Sequence, residues 1–206
     1  GDNDEGVDEI MKQADSAMHR AKHAGSECVQ IFRPQMQEAA MERLQLELKL
    51  HKAVEDRTLE IHYQPQVSML DGSLVGAETL LRWNDPELGS IPPSKFIPIA
   101  EETGLILIMG EWLLNSVCRQ INDWNSHPIA TPIPRVAVNI SPVQFRQPDF
   151  VDLVRTTLQR WDIPSEQLEL ELTEGIVIEQ IDWTVEKMNE LRELGVRFAI
   201  DDFGTG

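Results

Sequence analysis

Asp201 and Asp202 stand side by side where the apolar run Val196–Ile200 ends, and Phe203-Gly204-Thr205-Gly206 follows at once. Paired carboxylates at the C-terminal mouth of a strand, followed by a glycine turn, are how an α/β enzyme presents oxygen ligands to a metal. Three earlier apolar runs carry a polar residue of the same kind. These are Glu78 in GAETLLRW, Asn139 in RVAVNIS and Glu171 in LELELTE. Strand side chains alternate between faces, so Glu78, Leu80 and Arg82 share one face, as do Ala137, Asn139 and Ser141. Glu169, Glu171 and Thr173 form a third set and Ala199 with Asp201 a fourth, while Asp202 falls where the strand gives way to loop.

A bare carboxylate on a buried strand costs several kcal/mol unless it is paired or metal-bound. Four strands each offer an oxygen ligand, and no basic residue stands opposite every one of them. Coordination of Mg²⁺ or Mn²⁺ resolves this, with Asn139 contributing its amide oxygen. Zinc as the sole metal is disfavoured because no His or Cys joins the group. Taken singly, each residue has a plainer reading: Glu78 in a salt bridge with Arg82, Asn139 in a strand-end hydrogen bond, Glu171 facing solvent. Glu169 is expected to face solvent.

The elements that must position these residues follow from periodicity. Residues 1–6 are polar. Val7–Ala24 reads as a helix stopped by Gly25, and Cys28–Phe32 as a short strand closed by Arg33-Pro34. Gln35–Asp56 is a helix with Ala40, Met41, Leu44, Leu48 and His51 on one stripe, expected to pack on its own domain, with a coiled-coil seam as the alternative. Leu59–Val67 and Leu74–Trp83 suit a hairpin turning at Asp71-Gly72. A loop is expected between Asp85-Pro86 and Pro92-Pro93. Ser94 is expected to cap a short helix that Pro98 shortens or bends. Leu105–Asn125 is a long helix whose Trp112, Leu113, Val117 and Ile121 read as core, and His127–Pro134 is loop. From Val136 onward strands and helices alternate: Arg135–Ile140, Phe150–Trp161 with Asp149 as cap, Leu168–Glu174, Ile181–Leu194, Val196–Ile200. That order predicts parallel βα units. Polar residues at successive strand ends, with no glycine-rich first loop, favour a (β/α) barrel over an open doubly wound sheet. The barrel would be incomplete, since a full one takes about 250 residues.

Charge narrows the function classes. Acids outnumber bases 35 to 18, a net charge of −17, the opposite of what binding a DNA or RNA polymer wants. An acidic protein can still take an anionic substrate if metal ions carry the positive charge at the site. Cys28 and Cys118 lie far apart without metal-like spacing, which fits a reducing, cytoplasmic setting. No signal peptide or membrane-spanning run is legible, so any membrane anchor of the parent protein would lie outside this sequence.

Two resemblances extend this reading. Ala14–Ser26 (ADSAMHRAKHAGS) resembles the C-terminal helix of the diguanylate cyclase, or GGDEF, family, with His19 where that family often has Tyr. The segments YQPQV, GAETLLRW, PPSKFIPIAEETGLI, VNISPVQF, LELTEG and FAIDDFGTG, in that order from Tyr63 to Gly206, are similar to the EAL-domain family of cyclic di-GMP phosphodiesterases. Together they make the chain resemble the junction of a composite GGDEF–EAL protein. The implied organisation is a GGDEF-like remnant over 1–34, a connecting helix over 35–56 and the N-terminal part of an EAL domain over 57–206. The implied fold is α/β, a modified TIM barrel with an antiparallel first strand, cut off after about the fifth strand. The resemblance implies metal ligands at Glu78, Asn139, Glu171, Asp201 and Asp202, for two ions in the complete domain. It implies catalytic roles for Glu78, Asp201 and Asp202, and contacts to substrate from Gln64 and Arg82. The implied reaction is metal-dependent hydrolysis of cyclic di-GMP to linear pGpG in bacterial second-messenger signalling, with upstream GGDEF-like and sensory domains as partners and a homodimer left open. The family tripeptide reads Glu78-Thr79-Leu80 here, with Thr79 in place of the usual Ala. Later barrel strands that carry a catalytic Lys and further Glu ligands in that family are absent, so this stretch alone is expected to be inactive. The rival reading is a catalytically inactive module that binds cyclic di-GMP or docks a protein.

Overall fold

The computed structural model describes Met18 and residues 34–127, 133–173 and 181–201, without the side chains of 34–37, 181, 182 and 201. The helix read over Val7–Ala24 (Met18 apart), the strand Cys28–Phe32, Asp202 and the closing glycine turn lie outside those residues. The chain divides into two compact units, Gly1–Leu50 and His51–Gly206.

Helix α1 spans Pro34–Glu55. The stripe expected to be packed is corrected here: Met41, Leu44 and Leu48 are 57–66% exposed, while Leu46, Leu50 and Ala53 are buried. Leucine occupies two faces of this helix, at 44 and 48 and again at 46 and 50, so helical spacing alone could not choose between them.

The second unit is built on a sheet. Strands β1 (Glu60–Val67) and β2 (Leu74–Asp85) pair antiparallel, with Gly72 at φ 71° in the turn. The expected loop after Asp85 is instead a second hairpin, because β3 (Gly89–Ile91) pairs back onto Trp83–Asp85. The Asp85 carboxylate accepts hydrogen bonds from the Glu87 and Leu88 amides, both at 2.9 Å, which closes the turn without a longer loop. Helix α2 (Pro93–Thr103) starts from Pro92 rather than from a Ser94 cap and runs through Pro98 to Gly104. Helix α3 (Leu105–Asn125) follows.

Beyond α3 the connections are of the parallel type. Strand β4 (Val136–Ile140), a one-turn helix α4 (Pro142–Phe145), helix α5 (Phe150–Trp161), a 3-10 turn (Ser165–Gln167), strand β5 (Leu168–Thr173), helix α6 (Ile181–Glu193) and strand β6 (Arg197–Asp201) come in that order. Asp149 occupies the position before α5 but its side chain makes no capping bond. The described sheet has strand order β1-β2-β4-β5-β6, with β2–β4, β4–β5 and β5–β6 parallel.

One face of β4 and β5 supplies the core. Val136, Val138, Ile140, Leu168, Leu170 and Leu172 are at most 3% exposed and cluster with Leu114, Val117, Ile121, Val154 and Leu158 from α3 and α5. Each such side chain stabilises the fold by about 1.5–3 kcal/mol. This layer holds the strands in register and leaves their alternate residues on the opposite face. Trp112, expected in the core, is only partly buried at its edge.

Candidate active site

The residues singled out by alternation meet across strands. Gln64 is the register partner of Glu78, Glu78 of Ala137, Asn139 of Glu171, and Thr173 of Asp201. Partners in a register share a face, so Gln64, Glu78, Asn139 and Glu171 line one surface from β1 to β5. Asn139 Nδ2 donates a hydrogen bond to Glu78 Oε1 at 3.2 Å. Asp201 closes β6, and Asp202 lies just beyond the described residues.

Glu78 is not spent on Arg82. Among the described residues the two form no ion pair, and the Arg82 guanidinium donates instead to the Leu81 carbonyl at 3.1 Å. Asn139 and Gln64 are exposed, Glu78, Arg82 and Glu171 half-buried, so water and a ligand can reach this surface. Glu169 departs from expectation. It is 8% exposed, and Arg135 Nε lies 3.1 Å from its Oε1, close enough to pair although the N–H is not aligned for a hydrogen bond. A cation was available after all at the buried, N-terminal end of the strand, which leaves Glu171 as that strand's candidate ligand.

The donors are carboxylate and carboxamide oxygens, the set preferred by Mg²⁺ or Mn²⁺ and a poor one for zinc. Among the described residues no group of three or more His, Cys, Asp or Glu converges as a preformed metal cage. Glu78, Asn139 and Glu171 supply an open, oxygen-only platform that fits a hard divalent ion.

Behind the platform lies a support that sequence reading missed. After Asn139, Ser141 and Gln144 form a reciprocal capping box around α4, with Gln144 N donating to Ser141 Oγ at 3.2 Å and Ser141 N to Gln144 Oε1 at 3.1 Å. Gln144 lies flat on Gly110 of α3, where any Cβ would collide with it. Lys187 of α6, 5% exposed, donates to the carbonyls of Phe145 at 2.8 Å and Gln147 at 2.6 Å. Its ammonium sits 4.0 Å from the Trp183 ring centroid. Desolvation lowers the Lys187 pKa, with Asp149 and Glu190 opposing. The signals were present: Ser-Pro-Val-Gln is a capping-box pattern with Pro in the first helical position, and Trp183 and Lys187 are four residues apart on one helix. Thr79 lies on the face away from Glu78. It is 3% exposed, and its hydroxyl donates to the Ala137 carbonyl at 2.9 Å.

The EAL domain family model matches residues 47–206. The chain belongs to the EAL-domain family. This EAL domain is 40% identical over 206 residues to the bifunctional diguanylate cyclase/cyclic di-GMP phosphodiesterase MucR of Pseudomonas aeruginosa, covering 96% of this chain and 29% of MucR. It is 38% identical over 197 residues to the cyclic di-GMP phosphodiesterase PdeR of Escherichia coli, covering 96% and 29%. The solved P. aeruginosa MucR phosphodiesterase in complex with c-di-GMP superposes with a TM-score of 0.72 at 41% identity, over 79% of this chain and 65% of that one. The fold is therefore that of the EAL barrel, of which the described sheet forms part, with the antiparallel first strand as expected. The chain spans only 24–29% of the length of several curated relatives.

Proposed function

We propose that this EAL domain, within the protein that carries it, hydrolyses cyclic di-GMP to linear pGpG. The observation that carries the reading is the 3.2 Å contact from Asn139 to Glu78 on the face shared with Glu171. The named activities of MucR and PdeR, and the c-di-GMP in the MucR complex, support the choice of substrate.

Glu78, Asn139 and Glu171, with Asp201 and Asp202 completing the set, would hold Mg²⁺ or Mn²⁺, in two ions by analogy with the family. When bound, such ions lower the pKa of water and neutralise charge developing on phosphoryl oxygens. The amide of Asn139 holds the Glu78 carboxylate in place. Arg82 is assigned to a non-bridging phosphate oxygen, where a guanidinium gives a charge-assisted bond. Gln64, exposed opposite Glu78, is assigned to the edge of a nucleotide. In the reaction a water oxygen bonds to phosphorus, the bond from phosphorus to the ribose 3′ oxygen breaks, and that oxygen leaves as a hydroxyl. A carboxylate of the set takes up the proton of the attacking water and passes it to the departing 3′ oxygen. Residues 1–34 are assigned to the end of an upstream GGDEF-like domain, 35–56 to a connecting helix and 57–206 to the EAL domain. No helix among the described residues is long and apolar enough to cross a membrane.

The test is a hydrolysis assay on the protein that carries this chain, with Mg²⁺ or Mn²⁺, resolving cyclic di-GMP from pGpG. Turnover that ceases with EDTA and falls at least about 100-fold in Glu78→Ala is the expected result. Tight binding of cyclic di-GMP without any turnover would replace this reading with that of an inactive binding module.

A further inference from the structure

We propose that a groove on the helical side of the second unit is a second ligand site, for a nucleoside phosphate. The groove encloses about 620 Å³, within the range of small-molecule sites. It is bounded by the end of α1, the start of β1, the outer face of α3 and the end of α5, and shares no lining residue with the sheet-face platform. Arg57, Arg119 and Arg160 converge on it beside Trp112 and Trp161, with Glu111 as the single carboxylate of the lining. In a chain of net charge −17, three guanidiniums around one cavity run against the composition. Among the described residues none of them has a carboxylate within ion-pair distance, whereas Arg135 and Arg155 do.

The lining is arranged in advance. Asn115 Oδ1 accepts from Arg160 Nη1 at 3.0 Å and from Trp161 Nε1 at 3.4 Å, while Asn115 Nδ2 is tied to the Glu111 carbonyl at 2.9 Å. Two bonds on one amide thus fix a guanidinium beside an indole. Arg57 holds a left-handed backbone at φ 56°, a position usually given to Gly or Asn, and is kept there by Arg57 N to Val54 O at 3.3 Å and Thr58 N to Ala53 O at 3.0 Å. Unpaired guanidiniums recognise phosphate oxygens, and a half-buried indole offers a stacking face to a planar base. A nucleoside phosphate satisfies both, and a simple anion satisfies only the first.

Binding of 5′-GMP, 5′-AMP and inorganic phosphate to the protein that carries this chain would be followed by calorimetry and tryptophan fluorescence. An Arg82→Ala background disables the sheet face. The expected result is saturable binding of a nucleotide, at least about tenfold tighter than phosphate, that weakens tenfold or more in Arg119→Glu and in Arg160→Glu. Both arginines are exposed, so these variants keep the parent's melting temperature. Absence of saturable binding, phosphate binding as tightly as the nucleotides, or nucleotide affinity unchanged in both arginine variants would each overturn the proposal.

Discussion

Single residues around Glu78 divide by the face they serve. Thr79 lies one position from the candidate ligand, yet its hydroxyl is committed to the Ala137 carbonyl on the core side. Thr79→Val is therefore expected to cost about 1 kcal/mol in urea unfolding, as a buried hydrogen bond is worth, with turnover of cyclic di-GMP within about twofold of the parent. A large loss of turnover at unchanged stability would place Thr79 in the chemistry instead. Cys118 gives a pH prediction. Burial raises its thiol pKa from 9.0 to about 12, and burial likewise lifts the Tyr63 phenol to about 12. The folded chain then holds the thiol proton when the unfolded chain has released it. Stability is fully present below pH 9 and falls between there and about 12, by roughly 2 kcal/mol at about pH 10.5 for the cysteine. In Cys118→Val the fall over that window is expected to be shallower, measured by denaturant midpoints from about pH 8 to 10.5.

Elements were legible to different degrees, for physical reasons. The platform strands were legible because a period of two fixes both the strand and the side on which Glu78, Asn139 and Glu171 stand. Glu169 was misjudged because its partner, Arg135, lies on a different strand segment, and pairing between distant segments leaves no local pattern. The α1 stripe failed because leucines at 44, 46, 48 and 50 satisfy two faces equally. The hairpin to β3 and the single turn α4 were too short for periodicity, although Asp85 and the Ser141–Gln144 box carried their signals. That turn is expected to govern the site, since it follows Asn139 directly and is gripped by Gly110 and Lys187. Gly110→Ala should raise α3 helix propensity by about 1 kcal/mol, yet it forces Gln144 out of the capping box. Net destabilisation is expected, with overpacking costing about 1–3 kcal/mol, together with reduced turnover. A more stable, fully active variant would contradict it. Lys187→Met removes two charge-assisted bonds to the Phe145 and Gln147 carbonyls. It is expected to lower stability by about 2–4 kcal/mol, read from thermal or chemical unfolding.

At the scale of the whole molecule, the proposed function has an acidic chain hold an anionic dinucleotide. The net charge of −17 opposes that encounter unless divalent ions neutralise the carboxylate face, which makes metal binding the hinge of the functional reading. The contrast between Glu171 and Glu169, two residues apart on one strand, isolates it. The measurement is a calorimetric titration of Mn²⁺ into the protein that carries this chain, alongside Glu78→Gln, Glu171→Gln and Glu169→Gln. The first two changes are expected to weaken the ion tenfold or more, since each removes an anionic oxygen donor. Glu169→Gln should leave metal affinity unchanged while lowering stability through the loss of its pair with Arg135. Equal Mn²⁺ affinity in all four proteins, or a loss in Glu169→Gln as large as in Glu171→Gln, would contradict the assignment of this face as the metal site.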